Sequence, residues 1–287
     1  MAILIDGKKI AAEVRGEITK ETEAFVAEHG YAPGLTVIIV GENPASQVYV
    51  RNKKKACEEV GFASEVIALP DSTTEEELLS RIDALVKDDS VHGILVQLPL
   101  PKHIREDSIL RAIPPHKDVD AFHAENVGHI MIGDFDYLPC TPAGVMELLR
   151  HENNDPAGKE CVVVGRSNIV GKPMGMLLLH ANGTVTIAHS RTKNLADVTR
   201  RADILVVAVG KAGFITGDMV KEGAVVIDVD MNRNAEGKLC GDVDFASVEP
   251  KASAITPVPG GVGPMTITML LRNTLTAAET YARRTGK

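Results

Sequence analysis

The sequence has no tryptophan, and only 3% of its 287 residues are aromatic. It has no long hydrophobic run: apolar stretches such as Ile204–Val209 are of strand length, which excludes a membrane-spanning helix. Its four cysteines (57, 140, 161 and 240) are far apart and form no C-x-x-C pair, so neither a disulfide frame nor a zinc site is expected. Reduced thiols of this kind fit a cytoplasmic protein. No charged-then-apolar leader opens the chain, and Met1–Asp6 reads as a short strand. Positive charge is in deficit. The formal net charge of −8 argues against nucleic acid or an anionic membrane as the main partner. No repeat or low-complexity segment interrupts the pattern. His29, His92, His103 and His180 are scattered and suggest no metal site.

What remains is an ordinary globular composition, 44% hydrophobic, in a chain long enough for two domains. Apolar strands alternate with amphipathic helices. A helix over 8–29 leads to strand Leu35–Val40, whose unbroken apolar run suits a parallel sheet buried on both faces. A second helix, strand Glu65–Leu69, helix Thr74–Lys87 and strand Gly93–Leu98 follow. After the polar turn Asn153–Gly158 the alternation resumes with Cys161–Gly165, and it ends in a helix from about Pro264 to Tyr281. The order predicts an α/β fold of doubly wound type.

The helix between Pro44 and Gly61 organises the first half. At about 100° per residue, Ser46, Tyr49, Val50, Ala56, Cys57 and Val60 share one face with Lys53, while Arg51, Lys54, Lys55 and Glu58 fall outside. A lysine centred on an apolar stripe loses hydration, which lowers its pKa and suits it to acid–base work. The plainer alternative is a snorkelling lysine. Gln97 ends an apolar strand, at the edge where open α/β sheets bind ligands; a simple strand-end amide is the other reading. Asp118 and Asp120 follow Pro114-Pro115 and by spacing alone suit turns or caps.

In the second half, Gly165-Arg-Ser-Asn-Ile-Val-Gly171 follows a strand and opens a helix, the setting in which a helix N-terminus holds a pyrophosphate. It is not G-x-G-x-x-G, since Ser167 replaces the second glycine. The next strand ends in His189-Ser190-Arg191, with no acid for a ribose 2′-hydroxyl. Arg166, Arg191 and Ser190 suit a 2′-phosphate instead, which selects NADP over NAD.

With both halves in place, the chain resembles the bifunctional methylenetetrahydrofolate dehydrogenase/cyclohydrolase family along essentially its whole length. The motifs are Tyr49-Val-Arg-Asn-Lys53, Gly93-Ile-Leu-Val-Gln97-Leu-Pro99, Lys117-Asp-Val-Asp120, Pro139-Cys-Thr-Pro142, Val164-Gly-Arg-Ser167 and Pro257-Val-Pro-Gly-Gly-Val-Gly-Pro-Met-Thr266. The resemblance implies a first domain over 1–140 that binds folate, completed by a C-terminal helix over 265–287 that returns to it. A Rossmann-like NADP-binding domain is implied over 141–264.

The resemblance makes Lys53 the catalytic acid/base, held by Gln97. Tyr49 stacks on the folate and Asp120 anchors the pterin. Val96, Leu98, Pro259, Gly260 and Gly261 border the substrate, and Gly165, Arg166, Ser167, Ser190, Arg191 and Met231 take the cofactor, with no metal. It further implies tetrahydrofolate derivatives as substrates, a cytoplasmic homodimer, and a place in one-carbon metabolism feeding purine biosynthesis. The implied activity is NADP-dependent oxidation of 5,10-methylenetetrahydrofolate, then hydrolysis of the methenyl product. A dehydrogenase-only member, another NADP oxidoreductase and a non-enzymatic nucleotide sensor are the alternatives. Two departures from the family pattern stand out: Ala121 and Ala124 replace a Gly and a Pro after Asp120, and Asp230-Met231-Asn232 stands where Gly-Ile-Asn is usual.

Overall fold

Short apolar runs and longer amphipathic runs alternate along the chain. In the computed structural model, which describes residues 2–286, they form parallel strands and covering helices. The chain divides into two compact units, one of residues 2–12 with 139–266 and one of residues 13–138 with 267–286.

The second of these is built on a three-stranded sheet. β1 (Ile3–Leu4) and α1 (Gly7–His29) open the chain, and the division point falls inside α1. β2 (Gly34–Val40) is buried at every position and lies between β3 (Ala63–Leu69) and β4 (Gly93–Val96), all parallel. α2 (Pro44–Glu59) connects β2 to β3, and α3 (Glu75–Lys87) connects β3 to β4. A reciprocal capping box starts α3: Thr74 Oγ1 accepts from the Glu77 N–H (3.2 Å) and Glu77 Oε2 accepts from the Thr74 N–H (2.8 Å). Leu78, Ile82 and Leu85 of α3 pack with Ile38, Val40, Ile94 and Val96 of the sheet. α4 (Glu106–Ala112) and α5 (Ala124–Ile132) follow, and residues 267–285 of the last helix belong to this unit too. The expected return of the C-terminal helix to the folate domain agrees with that membership.

Besides β1, the other unit holds α6 (Cys140–His151) and a six-stranded parallel sheet in the order β1, Ala254–Ile255, Val225–Asp228, Ile204–Val207, Glu160–Val164, Thr184–Ala188. Its elements are β5 (Glu160–Val164), α7 (Gly171–His180), β6 (Thr184–Ala188), α8 (Leu195–Thr199), β7 (Ile204–Val207) and β8 (Val225–Asp228). They continue with a small antiparallel hairpin of β9 (Asn232–Arg233) and β10 (Leu239–Cys240), then α9 (Phe245–Val248), β11 (Ala254–Ile255) and the start, up to Thr266, of α10 (Val262–Thr285). Val162, Val164, Leu205, Val207 and Val226 form the centre of its core.

Two expectations need correction. The first dozen residues do not belong with the rest of 1–140, because Ile3 and Leu4 pair in parallel with Ala254 and Ile255. The strands are also shorter than their apolar runs: β4 stops at Val96 and β7 at Val207, so Gln97 and Gly210 lie in the loops at the carboxyl edges. Among the described residues, no helix is long and apolar enough to cross a membrane.

Candidate active site

α2 presents the face expected of it. Ser46, Val50, Lys53, Ala56, Cys57 and Val60 are buried, while Arg51, Lys54, Lys55 and Glu58 are exposed. Lys53 is only 8% exposed, so it does not reach solvent as a snorkelling lysine would. Its Nζ donates to Gln97 Oε1 at 3.0 Å. Gln97 is itself fixed, since its Nε2 donates to the Leu98 carbonyl at 2.7 Å. A buried amine thus meets a neutral amide just past the carboxyl end of β4, the ligand edge of a parallel sheet. Among the described residues Lys53 has no ion-pair partner. Val96 closes β4 and is buried, and Leu98 precedes Pro99 across a cis peptide. Tyr49 lies one helical turn before Lys53 and is half-buried.

The Asp118–Asp120 segment runs beside β4 through a parallel bridge between Ile94 and Asp118. Asp118 is the buried acid: its Oδ2 accepts from the His123 N–H (2.7 Å) and from Asn126 Nδ2 (2.8 Å). Burial pushes its carboxyl up to about 6. Asp120 is half-buried in the same loop. Between them and α5, Ala121 has a φ of 57° and is fully buried. That left-handed geometry explains why glycine suits the position. Asn273 of α10 holds the loop, its Nδ2 donating to the carbonyls of Val119 and Leu138, both at 2.8 Å. Asn273 is not legible in the sequence, because one asparagine within a long helix carries no local signal.

Pro259, Gly260 and Gly261 belong to the six-stranded unit. They begin after the cis Val258–Pro259 peptide. The Gly260 carbonyl accepts from the Lys8 N–H at 3.1 Å. A Cβ on Gly7 would stand 1.8 Å from the Gly261 carbonyl oxygen, so only glycine lets α1 start against this turn.

The turn from β5 to α7 is built as an anion cradle. Gly165 has a φ of 141°, and a Cβ there would lie 2.2 Å from the Ala208 carbonyl oxygen. Ser167 Oγ accepts from the N–H groups of Val170 (3.1 Å) and Gly171 (3.3 Å), which fixes the turn. Among the described residues the backbone N–H groups of Arg166, Ser167 and Asn168 have no partner. Three successive open donors before a helix N-terminus suit a phosphate. Beyond β6, Thr192 Oγ1 accepts from the His189 N–H (2.8 Å) and His189 Nδ1 from the Arg191 N–H (3.1 Å). Ser190, Arg166 and Arg191 are exposed, and neither guanidinium has a partner among the described residues. Open guanidiniums at the edges of β5 and β6 fit a phosphorylated nucleotide. Met231 follows β8 and is 46% exposed.

A carboxylate network at the ends of β7 and β8 was not anticipated as such. Asp228 is buried, with its two oxygens accepting from the Asp242 and Val243 N–H groups, both at 2.9 Å, and burial pushes its carboxyl up to about 7. The hints in the sequence are an acid closing the apolar run Val225-Val-Ile-Asp228 and the departure at Asp230.

A nucleotide cradle on a parallel sheet, with a second α/β unit that buries a lysine against a strand-end glutamine, defines a two-unit nucleotide-dependent α/β enzyme. The chain belongs to the tetrahydrofolate dehydrogenase/cyclohydrolase family. The family's catalytic domain matches residues 5–120, and its NAD(P)-binding domain matches residues 139–282. A curated relative from Acetivibrio thermocellus, the bifunctional protein FolD, is 60% identical over 282 residues, which is 98% of this chain and 99% of the relative. The crystal structure of the bifunctional FolD enzyme from Campylobacter jejuni is 51% identical with a TM-score of 0.94, covering 98% of this chain and 99% of that one. The Trypanosoma brucei FolD structure, complexed with NADP cofactor and an inhibitor, is 41% identical with the same TM-score and the same coverage.

Proposed function

We propose that this chain is a bifunctional enzyme of one-carbon folate metabolism. It oxidises 5,10-methylenetetrahydrofolate with NADP+ and hydrolyses the resulting 5,10-methenyltetrahydrofolate to 10-formyltetrahydrofolate. The observation that carries the reading is the buried Lys53–Gln97 hydrogen bond at the end of β4, in a chain that matches the family over both its domains. NADP supplies hydride acceptance when bound. Gly165 and Ser167 shape the turn that would hold its pyrophosphate, Arg166, Ser190 and Arg191 its 2′-phosphate, and Met231 its nicotinamide half.

In the hydrolytic step the Lys53 amine takes a proton from water as the oxygen adds to the methenyl carbon. The ammonium returns a proton to the ring nitrogen as the carbon–nitrogen bond breaks, and one proton is released overall. Gln97 holds Nζ in place, Tyr49 stacks on the folate, and Asp120 holds its pterin end. Val96, Leu98, Pro259, Gly260 and Gly261 complete the substrate contacts. A cytoplasmic homodimer that serves purine synthesis, with no nucleic-acid partner, is part of the same proposal.

The test is a coupled assay with methylenetetrahydrofolate, run separately with NADP+ and NAD+, following reduced cofactor and the methenyl species together. Cofactor reduction with NADP+, and methenyl that decays faster than in buffer, are expected. Methenyl that accumulates and decays only at the buffer rate would remove the cyclohydrolase. Equal rates with the two cofactors would remove the 2′-phosphate argument.

A further inference from the structure

Gly210 leaves β7 at the carboxyl edge of the six-stranded sheet, and its single N–H is shared by two acids. Asp230 Oδ2 lies at 2.9 Å and Asp242 Oδ2 at 3.1 Å. The two acids are not equivalent. Asp242 is fully buried and also accepts from the N–H groups of Val209 (2.6 Å) and Lys211 (2.7 Å) and from Asn232 Nδ2 (2.8 Å). Four donors make it the natural seat of negative charge. Asp230 has the shared Gly210 N–H and, facing it, the Asp242 carboxyl. Two anions cannot both lean on one N–H without repulsion, so the arrangement calls for a proton on the less well supplied partner. Asp230 immediately precedes Met231, at a position where the family pattern carries glycine.

Resting on the reading of Gly165 to Met231 as the NADP site, we propose that Asp230 is a positioning residue of that site. Its protonated carboxyl, with Asp242, clasps the Gly210 N–H and sets the loop after β7, and its ionisation releases that loop and weakens cofactor binding.

The surroundings agree. Burial, and then the charge of Asp242, push the Asp230 carboxyl up to about 6. The remaining acid of the group, Asp228, is tied to the Asp242 and Val243 N–H groups. The nearby cations are engaged elsewhere. Lys211 Nζ lies 5.6 Å from the centroid of the Phe214 ring, and Arg233 donates to the Gly237 carbonyl at 2.7 Å.

The test is calorimetric NADP+ binding to the full chain at several pH values spanning the weakly acidic to weakly alkaline range, for the wild type and for Asp230→Asn. Asparagine keeps the shape, accepts the Gly210 N–H and does not titrate. Phosphate monoesters titrate near pH ~6, so the ratio between the two proteins is the readout. The ratio is expected near one at the acid end, with the wild type weaker by about fivefold or more at the alkaline end. A second measurement needs no variant: the Gly210 amide NMR signal of the cofactor-free wild type should titrate with a midpoint near that of Asp230. A ratio constant with pH, or a Gly210 amide that does not move, overturns the proposal and leaves the proposed function standing. A wild type that binds no NADP+ at any pH removes the cofactor reading and this proposal with it.

Discussion

Lys53 and Ala121 are single residues whose surroundings give opposite meanings to small changes. The helical wheel placed Lys53 inward, and burial with a hydrogen bond to Gln97 follows from that placement and from β4 ending at Val96. Lys53→Met keeps the apolar stem and removes the proton carrier. Hydrolysis of the methenyl species is expected to fall by about 10²–10⁴-fold, while hydride transfer keeps a measurable rate. Both are read in one assay by the accumulation of methenyl, and unchanged hydrolysis would remove Lys53 from the mechanism. Ala121 was legible only as a departure from a pattern, because backbone conformation cannot be seen in a lone alanine. Its φ of 57° costs roughly 1–2 kcal/mol for a residue with a Cβ. Ala121→Gly relieves that strain but loses a buried methyl worth about 0.8 kcal/mol and gains chain entropy in the unfolded state. Stability should therefore change by less than about 1 kcal/mol. Ala121→Val crowds the same backbone and is expected to cost more than about 2 kcal/mol. Urea unfolding of the pair distinguishes the cases, and a valine variant as stable as the wild type would refute the strain argument.

At the scale of elements, legibility followed the strength of the periodic signal. α2 and α3 are legible because each carries one apolar face, and Gly61 marks the stop of α2; the Thr74–Glu77 box that starts α3 is seen only in the structure. α5 is not legible, because Val127, Met131 and Ile132 on it are exposed, so its apolar residues do not trace an inward stripe. The β9–β10 hairpin and β11 have only two residues per strand, too short for any period to register. β1 is legible as a strand but its unit is not, since its partner lies at Ala254 and strand partners so distant leave no local trace. α10 is legible as a helix, yet its most informative residue, Asn273, is not. Asn273→Leu removes the hydrogen bonds to the Val119 and Leu138 carbonyls, at a cost of about 1–3 kcal/mol. Because Val119 precedes Asp120, KM for the folate should rise more than kcat falls. Denaturation midpoint and steady-state kinetics on one preparation check both parts, and an unchanged KM would confine Asn273 to a purely structural role.

Across the whole molecule, the acidic net charge was plain in the composition, but the environment of individual acids was not, and that environment governs stability against pH. Asp118, Asp228 and Asp230 are held up to about 6, 7 and 6, each mainly by burial. Each folded value lies above the unfolded one, so the native state binds the proton more tightly. That contribution is full at low pH and is lost as pH rises through the folded values. His92 acts oppositely. It is buried, its Nδ1 accepts the Gly34 N–H at 2.9 Å, and burial brings it down to about 4. Its contribution is full above its ordinary value and is lost as pH falls toward 4. Between about pH 5 and 6 the native chain therefore keeps most of the three carboxyl protons that the unfolded chain has released, while His92, and His116, which burial also lowers, hold less proton than in the unfolded chain. Each net proton shifts stability by about 1.4 kcal/mol per pH unit. The acids held low, such as Glu75 at about 2 beside Arg105, titrate below this window and do not offset the balance. Stability should thus decline from pH 5 to 7 by roughly 2–3 kcal/mol, with Tm falling by about 4–10 °C. Scanning calorimetry of the cofactor-free protein across that interval measures it. A Tm that holds steady or rises from pH 5 to 7 would mean that these carboxyls are ionised in the native chain, with their charge carried by the N–H donors around them.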